Sequence, residues 1–76
     1  MRKISSIIAT PDFHLLVKFE NGVQKNFDFK PYLQFPVFSV LKNIALFQKI
    51  DNHGYFIEWQ GQEIDLSADT LWHEGK

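Results

Sequence analysis

Phe13, Leu15, Val17 and Phe19 occupy every second position of one run, and Val23, Phe27 and Phe29 share one parity in the next, with Lys25 the exception. A period of two puts alternate side chains on one face of a strand, so the runs predict the two arms of a β-hairpin around Glu20-Asn21-Gly22. Register follows from parity, because a slip of one residue sends a whole apolar set to the opposite face. A two-residue Asn21-Gly22 loop would set Phe19 across from Gln24 and Val17 across from Asn26, mixing apolar with polar. A three-residue loop, Glu20-Asn21-Gly22, instead pairs Phe19 with Val23, Leu15 with Phe27 and Phe13 with Phe29. Gly22 then takes the left-handed position that closes a type I turn with a bulge, which glycine adopts without a Cβ penalty.

The remaining pattern extends this hairpin into a small mixed fold. Ile4 to Ala9 is β-branched and apolar enough for a first strand, which Thr10-Pro11-Asp12 ends. Lys30-Pro31 starts a short helical segment and Pro36 limits it, so two helical fragments are expected. Val37, Phe38, Leu41, Ile44 and Phe47 read as one apolar helical stripe. Gln48 to Asn52 and Tyr55 to Trp59 read as strands around His53-Gly54, with a loop of two or three residues. After Gln60-Gly61, Gln62 to Leu66 suits a short third strand. Ser67 is an N-cap for a final helical turn, with Asp69 near its positive end and Leu71 and Trp72 docking it. The class is α+β: an N-terminal three-stranded antiparallel meander, short helical segments, a further antiparallel hairpin and a terminal helical turn. Residues 1–76 form a single domain in this reading.

Composition narrows the function classes. A chain of 76 residues buries only about 60% of its unfolded surface. Eight Phe, two Trp and two Tyr supply bulky rings to compensate. No cysteine is present, which removes disulfides and thiolate zinc sites and suits the cytoplasm. Ser5, Ser6 and Asp12 interrupt the apolar start, so neither a signal peptide nor a membrane span is expected. Eight basic and nine acidic residues are spread along the chain without a basic run, so nucleic-acid binding by the chain itself is not expected.

Candidate chemistry is sparse. His14, His53 and His73 fall on a strand's outer face, in a turn and near the C-terminus, without metal-ligand spacing. Asp28, Asp65 and Asp69 could serve as an acid-base set if they converged. Asp28 before Lys30-Pro31, and Asp65 and Asp69 around a helix start, also suit the satisfaction of free backbone donors. No Gly-x-Ser-x-Gly elbow or glycine-rich phosphate loop occurs, and no catalytic residue, cofactor, metal or small-molecule ligand is indicated. Tyr55 and Phe56 are successive strand residues and cannot both face one core, so one ring is expected outside. With Trp72 they form the candidate interaction surface.

Phe19 to Gly22, Asp28, Pro31, Leu41, Phe47, Trp59, Asp65-Leu66 and Asp69-Thr70-Leu71-Trp72 occur in an order that resembles the small bacterial proteins containing the domain of unknown function 2442 (DUF2442). The resemblance spans nearly the whole chain. One departure is Ala68, where similar proteins often carry proline. The resemblance implies no established activity. It implies a domain found alone or fused to a helix-turn-helix, often beside another small protein in an arrangement suggestive of a toxin and antitoxin pair. The leading expectation is therefore a non-catalytic protein-interaction module that binds and masks a protein partner. The alternative is a self-associating homodimeric domain. A more remote one is a small enzyme built on Asp28, Asp65 and His73.

Overall fold

The computed structural model describes residues 2–76. Strands β1 (Ile4–Ala9), β2 (His14–Phe19) and β3 (Gln24–Asp28) form an antiparallel meander in that order. Leu15 faces Phe27 and Val17 faces Lys25. The Phe19 amide donates to the Val23 carbonyl at 2.9 Å and the Phe29 amide to the Phe13 carbonyl at 2.9 Å. The hairpin thus has the three-residue register that parity demands, with Gly22 at φ 89° and the Gly22 amide donating to the Phe19 carbonyl. Leu15, Val17, Phe19 and Phe27 are buried on one face. A register shift between Ile4 and Ser6 lets β1 bend over β2, and the Ser5 hydroxyl donates to the Lys18 carbonyl at 3.0 Å.

The middle of the chain departs from the single helical stripe. Two 3-10 helices, Lys30–Gln34 and Pro36–Lys42, precede the short helix α1 (Ile44–Phe47). The stripe Phe38, Leu41, Ile44, Phe47 advances by three residues at every step, the period of a 3-10 turn, whereas an α-helix would carry those positions steadily round its axis. Leu41 and Phe47 are buried, and Val37 points outward at 63% exposure. Asn43 divides the stripe, its side chain accepting the Ala45 amide at 3.0 Å as the cap of α1.

Strands β4 (Ile50–Asn52), β5 (Phe56–Trp59) and β6 (Ile64–Ser67) make a second antiparallel meander. Helix α2 (Ala68–Glu74) follows directly, and the Thr70 amide donates to the Ser67 hydroxyl at 3.1 Å as the N-cap pattern predicts. The chain is α+β. Main-chain and amide bonds join the two sheets: the Ile4 amide donates to the Gly54 carbonyl at 2.7 Å, and Asn52 Nδ2 donates to the Ile4 carbonyl at 3.0 Å. Between the sheets the buried Phe29 ring lies 5.3–5.4 Å from the rings of Phe38, Phe47 and Trp59. Trp59 is fully buried, and its Nε1 donates to the Phe47 carbonyl at 2.8 Å, so the largest side chain of the core leaves no polar atom unpaired.

Candidate functional site

The β4–β5 register settles the open loop length. Asn52 faces Ile57, and the His53 amide donates to the Phe56 carbonyl, which leaves Gly54 and Tyr55 as a two-residue turn. Gly54 sits at φ 85°, and Asn52 Oδ1 accepts its amide at 2.8 Å. Tyr55 is therefore a turn residue, not the first of the strand, and the alternation argument that would bury one of two adjacent rings does not reach it. Tyr55 is 49% exposed and Phe56 is 39% exposed. Both rings are outside: Tyr55 at the turn, and Phe56 on the outer face of β5, stacked on His53 at 4.6 Å.

Trp72 lies differently. It is half-buried on α2, edge-on to Phe19 at 5.0 Å, with the Arg2 guanidinium 4.4 Å and the Lys25 ammonium 4.9 Å from its ring centre. Two cations on one indole shield its π-face from solvent. Arg2 also pairs with Asp69 at 3.5 Å, and Lys3 with Glu20 at 4.0 Å, both exposed pairs of small energetic weight. Arg2, Lys3, Phe19, Asn21 and Tyr55 line one shallow recess, so Tyr55 and the Trp72 corner are joined by a cationic rim.

Registers across the second sheet place Asp51 opposite Glu58 and Glu58 opposite Asp65. Directly opposed like charges repel, and here His53 Nε2 approaches Glu58 Oε1 at 3.4 Å while Gln60 Nε2 donates to Asp51 Oδ1 at 2.9 Å. The sequence could have shown this row only once the Gly54-Tyr55 turn fixed the parity.

A second polar group gathers at the far end of the first sheet. His14 Nδ1 lies 2.7 Å from Asn26 Oδ1, an acceptor, so this nitrogen carries the proton, while Nε2 lies 3.3 Å from the Lys30 ammonium and 3.8 Å from Asp28. Asp28 Oδ1 accepts the Lys30 amide at 3.0 Å, the local satisfaction of a backbone donor that its position before Lys30-Pro31 suggests. Thr10 donates its hydroxyl to Asp12, which holds that carboxyl below the usual carboxylate range, with His14 and Lys30 adding smaller pulls in the same direction.

Asp65 projects from the outer face of β6, Asp69 lies in the first turn of α2, and His73 is exposed near its end. Among the described residues no hydrogen bond or ion pair joins Asp28, Asp65 and His73, and no three His, Asp or Glu side chains are grouped as metal ligands would be. No helix of the described residues is long and apolar enough to cross a membrane.

The model of the family described as "Protein of unknown function (DUF2442)" matches residues 4–76. The chain belongs to the DUF2442 family. Comparisons with curated proteins and with solved structures give no match. In this DUF2442 chain, Phe19 and Trp59 stand in the core, Gly22 closes the hairpin, Asp28 ties β3 to the first 3-10 helix and Asp65 faces outward.

Proposed function

We propose that this DUF2442 chain is a non-catalytic protein-interaction module that binds and masks a different small protein, as the antitoxin-like half of a toxin-antitoxin type pair. The observation that carries the reading is the exposure of Tyr55 and Phe56 beside a core already closed by Trp59, Phe47 and Phe29. Aromatic rings that contribute little to the core are what a partner's apolar surface covers with most gain, and the Arg2 and Lys3 rim supplies charge to orient it. The pairing with a toxin-like neighbour rests on the family context that the motif order implies.

Purification of the tagged chain from its host after nuclease treatment tests this. One small protein at equal stoichiometry is expected, and it should be lost from a Tyr55→Ser, Phe56→Ser double variant that folds normally by circular dichroism. Recovery of the chain alone, or equal capture by the double variant, would contradict the proposal.

A further inference from the structure

A groove lined by Asn26, Phe27, Asp28, Tyr32, Phe35 and Lys76 runs beside the outer edge of β3 and shares no lining residue with the Tyr55 and Phe56 corner. We infer that this groove takes an extended segment of a different polypeptide, which adds to the first sheet as a fourth strand along β3. The inference shares with the proposed function the idea that the ligand is a protein, and it names a separate surface and binding mode.

Hydrogen-bond parity along the hairpin decides which main-chain groups are available. Phe19 with Val23 and Phe13 with Phe29 are hydrogen-bonded pairs, so the odd-numbered residues of β3 spend their main-chain groups on β2. Gln24, Asn26 and Asp28 turn theirs to the opposite edge. The Lys76 amide already donates to the Asn26 carbonyl at 2.9 Å, so this edge accepts a main-chain donor from outside the sheet. The Asn26 and Asp28 amides have no hydrogen-bond acceptor among the described residues. Unpaired main-chain groups in a row along a strand are complementary to another main chain, which is the basis of recognition by strand addition.

The floor of the groove supplies the apolar part of the recognition. Tyr32 stacks on buried Phe27 at 5.2 Å, and Phe35 stands 6.2 Å from Tyr32 with 48% of its surface exposed. A strand beside β3 directs alternate side chains to one face, so one large apolar side chain in every two positions is the expected recognition pattern. A second copy of this chain fits poorly. Symmetric pairing of two β3 strands places the two-fold axis beside Asn26, the midpoint of Gln24–Asp28, where Lys76 of each copy already sits.

Selection of a random displayed-peptide library on the whole chain, followed by amide mapping on isotope-labelled protein, tests the inference. Selected peptides should alternate apolar with polar residues and shift the Asn26 and Asp28 amides. They should bind about tenfold more weakly to a Phe35→Asp variant, and N-methylation of alternate peptide amides should abolish binding. Peptides that map to Tyr55 and Phe56 would overturn the β3 groove and leave the interaction-module reading standing. A library that yields no binder would oppose both, and N-methylated peptides that bind as well as their parents would exclude strand addition.

Discussion

Asp12 shows how one exposed side chain couples to the turn that holds it. The Thr10 hydroxyl donates to its carboxylate and also accepts the His14 amide at 3.0 Å, so the β1–β2 turn is tied together through the ionised form of Asp12. Its carboxyl is held below the ordinary range, chiefly by that hydrogen bond. A depressed folded-state value means that the unfolded chain takes up the proton first as pH falls. The stabilisation is therefore complete above the ordinary carboxylate value and disappears as pH falls through the lower folded value. Asp12→Ala should lower the urea midpoint at neutral pH, and the gap from the wild type should close in strong acid. A gap that stays constant with pH would mean that the carboxylate charge plays no part. The sequence marks Thr10-Pro11-Asp12 as a strand end, but the positive φ of Phe13 (65°) that completes this turn has no signal in a residue type that rarely adopts it.

Elements were legible where a strict period and a turn residue agreed. The hairpin is the clearest case: Phe19, Leu15 and Phe13 against Val23, Phe27 and Phe29 allow one register, and Gly22 supplies the backbone it needs. A Cβ at Gly22 would meet nothing within 4 Å, so the cost of a side chain there is backbone strain without any clash. Gly22→Val should destabilise the chain by about 1–3 kcal/mol, with Gly22→Asn losing less, as read from denaturant midpoints. A midpoint unchanged in the valine variant would refute the turn. Ser67 was equally readable as a cap, because its hydroxyl satisfies an amide three residues on. The Val37 to Phe47 stripe was not, since a spacing of three fits both a 3-10 row and a loose α-helical face, and Asn43 acts as a cap only once the chain breaks there. Tyr55 was misplaced for a related reason: assignment to a strand or a turn depended on a loop length that local parity left open.

At the scale of the molecule, two three-stranded sheets share one aromatic core and leave their outer faces to solvent, with Asp51, Glu58 and Asp65 in a row across one of them. The candidate interaction residues were only partly legible: the exposure of an aromatic beside Trp59 followed from alternation, whereas the cationic cover of Trp72 and the groove beside β3 depend on contacts between distant segments. Neither sheet edge favours a second copy, since β3 carries Lys76 and a symmetric pairing centred on β6 would bring Asp65 against its own counterpart. The account's central claim is that the exposed apolar side chains are covered by a different protein. Sedimentation equilibrium of the purified chain tests that claim most directly. A monomer of 8.9 kDa that stays monomeric as concentration rises is the predicted result, and a stable species of twice that mass would contradict it and favour self-association.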